Sequence, residues 1–328
     1  VTSSEIYRRS AGVFAAACGL LGAAALLASL VTVEVRFVVL LAGWTPVLIG
    51  TALLGAVVAT IARQWAAQCG CLVVCALGAW LLGPLYVAGT GAGSPDADGP
   101  PLRVLQANVK LGQADPDLLT DLVRDRDVDV LTVQELTDEA VDGLGAAGLD
   151  DLLPHRFAIS YGPNGLGGGI YSRYPLSNTR VLDGYLSANL AADLDVGLRE
   201  PVTLFAVHPA PAYLFPAPMW AGELRDLGAE FANAAERDNV IASGDFNASY
   251  SQRQYRALLT AGYADAADQV GAGLVPTMPA HRWYPALVGI DRVITKGAVA
   301  TGLERVSIAG SDHHGVIADI RLVDDAAR

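Results

Sequence analysis

Cysteine is absent from residue 93 to the end of this 328-residue chain. That excludes a disulfide framework for the longer C-terminal part, which can therefore survive an oxidising compartment without mispairing. The four cysteines, Cys18, Cys69, Cys71 and Cys75, lie in or beside apolar runs with no histidine nearby, and read as small apolar helix filler rather than metal ligands. Charge is absent from three long runs, Ala11 to Val33, Phe37 to Ala62 and Cys69 to Ala92. Each exceeds the roughly 20 residues a helix needs to cross a bilayer core, so three transmembrane helices are expected, at about residues 11–33, 37–62 and 69–92. Basic charge is also scarce: residues 101–328 carry 18 Lys and Arg against 30 Asp and Glu, a net charge of −12. A domain so acidic lacks the footprint that a non-specific nucleic-acid binder uses to displace counterions. Internal repeats are absent as well.

What is present divides in two. The chain is 52% hydrophobic with a mean hydropathy of +0.36, and the excess is concentrated before residue 93. Arg8-Arg9 ahead of an apolar run resembles the start of a signal peptide. The run is longer than the apolar core of such a peptide, however, and two further runs follow at once. Ser10-Ala11-Gly12 also fails to continue a twin-arginine pattern. Pro46 and Pro84 are compatible with membrane spans, where neighbouring helices satisfy the freed carbonyls. Arg8, Arg9 and Arg63 fall on one side of the expected spans and Arg36, beside Glu34, on the other. That count favours a cytoplasmic N-terminus and an extracytoplasmic C-terminal domain.

Gly89 to Pro101, rich in Gly, Pro, Ser and Asp, is a linker, with residues 93–101 between the last span and the next domain. Residues 102–328 suffice for one globular domain with a large core. Strands are expected from Leu102 to Val109 and Val128 to Gln134, around a helix from Asp115 to Asp125 with Pro116 in its first turn. Further strands follow at Arg156 to Ser160, Gly168 to Ser172, Ala188 to Val196 and Pro201 to Val207. Met219 to Ala235 is an amphipathic helix, with Trp220, Leu224, Leu227 and Phe231 on one face. After the strand that leads into Asp245 come a helix near Gln252 to Thr260 and strands at Ile290 to Thr295, Gly302 to Ile308 and Val316 to Leu322. Two halves, each ending in strands with helices outside, point to two sheets packed face to face.

The chemistry gathers at strand ends. In Ser243-Gly244-Asp245-Phe246-Asn247, a buried strand delivers a carboxylate and a carboxamide two residues apart, able to face one side and to hold a water or a phosphate oxygen. Alone, the stretch is equally a turn that caps a strand. Asn108, Glu135 and His208 close three other strands, Asp291 opens one, and Asp312-His313 follows Gly310-Ser311. A packed sandwich does not require so many polar groups at its strand termini.

Together and in this order, these residues resemble the endonuclease/exonuclease/phosphatase family of metal-dependent phosphoesterases. The motifs are Gln134-Glu135, the Gly168 to Leu176 strand, Ser243 to Asn247, and Ser311-Asp312-His313. The resemblance covers essentially all of residues 102–326. With apolar spans in front it looks like the family's bacterial membrane branch, which includes teicoplanin-resistance-type proteins. It implies an α+β, four-layered αββα sandwich of DNase I-like fold, following the three transmembrane helices. It also implies a divalent cation, Mg²⁺ with Mn²⁺ or Ca²⁺ as alternatives, held by Glu135 with Asn108 and Asp312 completing or orienting its shell. By the same resemblance Asp245 orients or deprotonates the attacking water and Asn247 holds it or a phosphate oxygen. His208 and His313 stabilise the developing negative charge, and Asp291 supports one of these groups.

One position departs from the family pattern. Nuclease members often carry an acidic residue two places after the first Asn, where this chain has Lys110, which is equally a residue able to meet a phosphate or a solvated strand-end lysine. His314 is a neighbour of the site, His155 and His281 are ordinary surface or loop residues, and Arg173 is explained equally by a strand end. Between His208 and Trp220, prolines make a stiff loop whose Tyr213 and Phe215 could meet the acyl or isoprenoid part of a lipid, or could simply cap the core. The resulting expectation is a membrane-anchored phosphoesterase acting on a lipid-linked phosphate or pyrophosphate, with membrane lipids as its surroundings. Its rivals are a tethered extracellular nuclease, a sphingomyelinase-like or phospholipase C-like phosphodiesterase, and a non-catalytic binding module that keeps the fold.

Overall fold

The computed structural model describes residues 2–89 and 97–324, so most of the expected linker, residues 90–96, lies outside it. The N-terminal region folds into four helices: α1 (Ser3–Leu30), α2 (Arg36–Gly43), α3 (Thr45–Ile61) and α4 (Trp65–Leu82). The first opens with a capping box in which Thr2 and Glu5 satisfy each other's backbone N–H groups. Two helices are long and apolar enough to cross a membrane, α1 with 28 residues and the 22-residue stretch Trp65–Tyr86. The second expected span, residues 37–62, is not one continuous helix, because α2 and α3 meet at a bend of 66°.

Pro46 accounts for the break. It has no N–H to donate to the carbonyl of Ala42 four residues earlier. The Thr45 hydroxyl donates to that carbonyl instead (2.7 Å) and lies 3.1 Å from the carbonyl of Ala25 on α1, which ties the bend to its neighbour. Arg8 donates to the carbonyl of Ala62 (3.3 Å), so the two basic ends expected on one side of the membrane do share one end of the bundle.

The C-terminal region runs β1 (Pro101–Asn108), α5 (Pro116–Asp125), β2 (Val130–Leu136), α6 (Asp138–Ala146), α7 (Leu149–Leu152), β3 (His155–Ile159), β4 (Gly167–Ser172), β5 (Leu176–Val181), β6 (Leu190–Leu194) and β7 (Val202–Val207). It continues through α8 (Ala217–Asn233), β8 (Val240–Asp245), α9 (Arg253–Arg256), β9 (Ala264–Asp265), α10 (Ala266–Val270), β10 (Asp291–Lys296), β11 (Val299–Ser307) and β12 (His314–Arg321). The strands form two six-stranded sheets, ordered β11-β12-β1-β2-β4-β3 and β5-β6-β7-β8-β10-β9. Each sheet has one parallel pair at its centre, β1 with β2 and β7 with β8, made by a crossover through α5 or α8.

Alternation along the central strands makes the layers. Leu102, Val104, Val130, Leu204, Ile241 and Val293 face inward and fill the space between the sheets. Leu105, Leu131 and Val133 face outward and pack with Leu119 and Val123 of α5 and with Leu144 of α6. On the other sheet Phe205, Val240 and Ala242 pack against Trp220, Leu224, Leu227 and Phe231, all four on the buried face of α8. This is the expected four-layered sandwich. The helix expected over Gln252 to Thr260 is only the single turn α9, since Ser249 and Gln252 bond each other at its entrance and turns follow it.

The two regions touch at defined points. The carbonyls of Ser29 and Leu30 have no partners within α1, as at any helix C-terminus, and accept from Arg256 (2.6 Å) and Arg253 (2.9 Å). Gln252 donates to the carbonyl of Val39 (3.1 Å), Arg36 to the carbonyl of Phe215 (3.2 Å), and Glu34 pairs with Arg225. Leu82, Leu85 and Val39 also join the cluster under α8.

Candidate active site

Inward-facing positions change character along the same strands. On β1 the sequence Leu102, Val104, Gln106, Asn108 goes from apolar to polar; on β2 it is Val130, Thr132, Gln134; on β8 it is Ile241, Ser243, Asp245. One end of the sandwich interior is therefore apolar and the other is a buried polar network. Thr132 and Ser243 bond across the two sheets (2.8 Å), and Gln106 Nε2 donates both to Gln134 Oε1 (2.8 Å) and to Asp291 Oδ1 (2.7 Å). These bonds hold the sheets in register at the end where the site opens, while Gln106 Oε1 and Gln134 Nε2 stay without a hydrogen-bond partner among the described residues.

Glu135 would face the outer helices if β2 were regular. A bulge between Gln134 and Leu136, opposite Gly167 and Gly168, releases it, and its backbone takes a left-handed conformation with φ 59°. Such a conformation is strained for a non-glycine residue, and here it re-aims a carboxylate into the site. Glu135 Oε1 accepts from Asn108 Nδ2 (2.9 Å) and Oε2 from the N–H of Leu111 (2.8 Å). The same Asn108 nitrogen donates to Asp245 Oδ2 (3.1 Å), while Asn108 Oδ1 accepts from the N–H of Lys110 (2.9 Å). Asn108 thus fixes both carboxylates, and Lys110 and Leu111 form a left-handed turn beside them (φ 47° and 52°).

Asp245 and Asp291 are partners in the β8–β10 register, so two buried carboxylates stand side by side. Burial, and after it the neighbouring charge of Asp291, raises the Asp245 carboxyl to about 7. Asp245 Oδ1 accepts from the N–H of Asn247 (2.8 Å). The Asn247 side chain donates to the carbonyl of Pro209 (2.9 Å), and its own carbonyl accepts from the buried indole of Trp220 (2.9 Å). His313 Nδ1 lies 2.8 Å from Asp291 Oδ2 and 3.8 Å from Asp245 Oδ2. Burial disfavours its charge, but the two carboxylates outweigh burial and lift it to about 10, so the ring is an imidazolium at neutral pH. With Nδ1 held by Asp291, the Nε2–H is the donor left for a ligand.

His208 Nε2 lies 3.9 Å from Asp245 Oδ2. Burial lowers its pKa, and among the described residues its Nδ1 has no hydrogen-bond partner, so it adds a neutral imidazole beside the cationic one. Asn189 positions it by accepting from its N–H (2.7 Å) and donating to its carbonyl (3.2 Å). Asp312 is half-buried at the rim, its carbonyl accepting from the N–H of Ala280 (2.7 Å). Tyr213 overlooks the site: burial, then the charges of Asp245, Glu135 and Asp312, push its phenol up to about 12, so it stays a protonated donor. Phe215 is half-buried in the same loop.

The structure therefore brings Asn108, Glu135, His208, Asp245, Asn247, Asp291 and His313 into one centre, with Lys110, Asp312 and Tyr213 around it. Arg173 stands at the opposite end of β4 and is committed to Asp127 (2.6 Å) and Asp129 (3.4 Å). His155 opens β3 and His281 is exposed in a loop. Sequence reasoning missed Gln106 and Asn189, and named Ser311 within a motif without giving it a role. The Ser311 hydroxyl donates to the carbonyl of Asn108 (2.7 Å) and accepts from the N–H of His313 (3.0 Å), and so clamps two site loops together. Gln106 had a signal, being a polar residue at an inward position of an apolar strand; Asn189 had none.

Ligand atoms of Glu135, Asp245 and His313 all lie within 4.8 Å of one another. His313 is already protonated and paired, which leaves carboxylate oxygens as the donors. An oxygen-only donor set with few protein ligands suits a hard divalent cation.

A family model described as Endonuclease/Exonuclease/phosphatase family matches residues 105–313. No curated protein matches the chain. Among solved structures, a humanized TDP2 from D. rerio is similar with a TM-score of 0.55 and 17% identity, covering 67% of this chain and 98% of its own. An endonuclease/exonuclease/phosphatase from Beutenbergia cavernae has a TM-score of 0.50 and 22% identity over 68% of this chain and 72% of its own. One from Bacteroides vulgatus has 0.52 and 14% over 68% and 99%. Enzymes of this family are divalent-metal-dependent phosphoester hydrolases. By the span of the model match and the shared fold, the chain belongs to the endonuclease/exonuclease/phosphatase family.

Proposed function

We propose that the protein is a membrane-anchored, Mg²⁺-dependent phosphoesterase of the family's bacterial membrane branch, hydrolysing a phosphate ester or pyrophosphate of a lipid-linked substrate on the extracytoplasmic face. The observation that carries this reading is the contact between the site's rim and the apolar N-terminal region. The loop with Tyr213 and Phe215 is held through the Phe215 carbonyl by Arg36, at the start of the helix that follows α1. A site so tethered works within reach of a bilayer, where its phosphorylated substrates are lipids.

In this mechanism Glu135 would hold the cation, with Asn108 orienting it and Asp312 at the rim. When bound, the cation supplies positive charge that offsets the charge on phosphoryl oxygens. Asp245, poised near neutrality, accepts the proton of the attacking water, and Asn247 orients that water or an adjacent phosphoryl oxygen. His313 donates from Nε2 to a phosphoryl oxygen as charge builds, and His208 adds a second donor. Asp291 holds the His313 ring in place and keeps it protonated. Lys110 and the Tyr213 phenol would meet further phosphate oxygens.

One structural neighbour, TDP2 from D. rerio, was solved in complex with a single-strand DNA product. The net charge of −12 over residues 101–328 argues against such a ligand here. The test uses purified full-length protein in bilayer discs with Mg²⁺. A polyprenyl or diacylglycerol phosphate should be cleaved with a higher kcat/KM than a soluble phosphate or an oligonucleotide, and chelator should abolish it. Faster cleavage of the oligonucleotide than of any lipid would overturn the proposal. For topology, a C-terminal reporter that matures only outside the cytoplasm should be active; fluorescence from a strictly cytosolic reporter would invert it.

A further inference from the structure

A cleft of ≈ 550 Å³ runs from the site to the bend in the N-terminal helices. Its inner end is made by Asn247, Asp312 and Tyr213, and its outer walls by Leu40, Gly43 and Trp44 on one side and Met278, Leu287 and Val288 on the other. That volume lies within the range of small-molecule sites. Resting on the function proposed above, we infer that this cleft binds the hydrocarbon chain of an amphiphilic phosphoester whose phosphate sits at the carboxylates of the active site.

The cleft is built from fixed parts. The 278–288 segment is a hairpin, with the N–H of Leu287 donating to the carbonyl of Met278 (2.9 Å) and the N–H of Thr277 to the carbonyl of Val288 (2.8 Å). Two further bonds tie it to the loop that carries the catalytic histidine: Ala280 N–H to the Asp312 carbonyl (2.7 Å) and His314 N–H to the Thr277 carbonyl (2.8 Å). The opposite wall is held by Gln252, which donates to the carbonyl of Val39. Chain continuing α2 in a straight line would not present the same face, so the 66° bend at Trp44 shapes this wall.

The cleft lining is mostly apolar, with polar groups interspersed. Asn247, Asp312 and the phenol of Tyr213 stand at the phosphate-handling end, Leu40, Trp44, Met278, Leu287 and Val288 supply apolar wall, and Ser249, Gln252, His281 and Arg282 also line it. A small hydrophilic phosphate would leave the apolar length unused, whereas a chain entering it removes methylenes from water. Each buried methylene contributes enough to raise kcat/KM about threefold to fourfold, until the cleft is full. The wall from residues 40–44 belongs to the N-terminal region, so the site for the chain is incomplete in the C-terminal domain alone.

The experiment uses full-length protein in bilayer discs and a series of n-alkyl phosphates from ethyl to hexadecyl, with the parent and the Leu40→Gln/Leu287→Gln double variant. Neither leucine touches the catalytic groups, so ethyl phosphate turnover and the circular dichroism spectrum should match the parent. In the parent, kcat/KM should climb with chain length and then level; in the variant the climb should flatten by at least tenfold at decyl phosphate. A second readout is independent of turnover. Decyl phosphate with a terminal diazirine should label residues 37–45 and 278–288 on irradiation, and excess hexadecyl phosphate should suppress that labelling. Labelling confined to the outer faces of α1 and α4, or an unchanged chain-length profile in the variant, would overturn the cleft assignment while leaving lipid-phosphate hydrolysis standing. Labelling of both walls by an enzyme that cleaves no lipid phosphate would uphold the cleft and overturn the proposed activity.

Discussion

Replacing Asp291 by asparagine should move both limbs of the pH–rate profile toward acid. In the parent, Asp245 must be deprotonated and His313 protonated, so activity rises through the first pKa and falls through the second, which the structure sets at about 7 and about 10. Asp291 raises both, since its charge repels the Asp245 carboxylate and holds the imidazolium at 2.8 Å. A charge-assisted hydrogen bond of this kind is worth about 1.5–3 kcal/mol, so His313 should fall by about one to two pH units in the variant. Asp245, adjacent to Asp291 in the strand register but not hydrogen-bonded to it, should fall by about one unit. The assay is kcat/KM against pH for parent and variant at one saturating Mg²⁺ concentration. A bound cation would lower the Asp245 pKa below this metal-free position in both proteins, so the assay reads the displacement between parent and variant. Nitrogen-15 histidine spectra of metal-free protein would assign the basic limb independently. Limbs moving in opposite directions, or an acid limb that rises, would refute the assignment of base and cation to these two residues.

Three other outcomes follow from the same geometry. Asp245→Asn and His313→Ala should each lower kcat by about 10²–10⁴ with the circular dichroism spectrum retained, and turnover within a few-fold of the parent would remove their roles. Glu135→Gln should raise the Mg²⁺ concentration for half-maximal activity at least about tenfold, because a carboxamide offers no charge to a hard cation; an unchanged titration, by activity and by calorimetry, would show that Glu135 is not the ligand. Trp220→Phe removes a buried indole N–H from the Asn247 carbonyl, and should lower unfolding stability by about 1–3 kcal/mol while reducing kcat more than it changes KM. A fall in stability with kcat untouched would mean that Asn247 does not need this support.

How much of the fold was legible depended on what each segment packs against. Strands buried on both faces, such as β1, β2 and β8, announce themselves as apolar runs, and α8 shows its buried face through Trp220, Leu224, Leu227 and Phe231. The strand β5, over Leu-Ser-Asn-Thr-Arg-Val, was not legible: it is an edge strand, exposed along most of its length, with Asn178 at φ 48° and a register shift between Ser177 and Arg180. Its place comes from pairing with β6, which no local pattern records. The bend at Trp44 was half-legible. Pro46 was visible, but whether a proline in an apolar run kinks a helix or is absorbed depends on partners. Here the Thr45 hydroxyl donates to the Ala42 carbonyl and lies 3.1 Å from the Ala25 carbonyl of α1, and that choice is made by tertiary contacts.

The site was legible for a different reason, and the same reason explains what was missed. Charged groups at strand ends stand out because a turn needs few of them. Neutral amides and hydroxyls do not stand out, although Gln106, Ser311 and Asn189 decide how the charged groups are aimed. Gln106 bridges the sheets to Asp291, and Asp291 in turn keeps His313 charged; removing that amide would leave a buried carboxylate with one partner fewer. Glu135 makes the point most sharply. Strand parity assigns it to the outer face with Leu131 and Val133, and only the bulge opposite Gly167 and Gly168, with its left-handed backbone, turns it inward. The glycines permit that bulge: a Cβ at Gly167 would meet the Leu136 carbonyl at 2.3 Å, a separation no side chain tolerates. The aim of this carboxylate is therefore specified by two residues that carry no chemistry of their own, on the neighbouring strand more than thirty positions later.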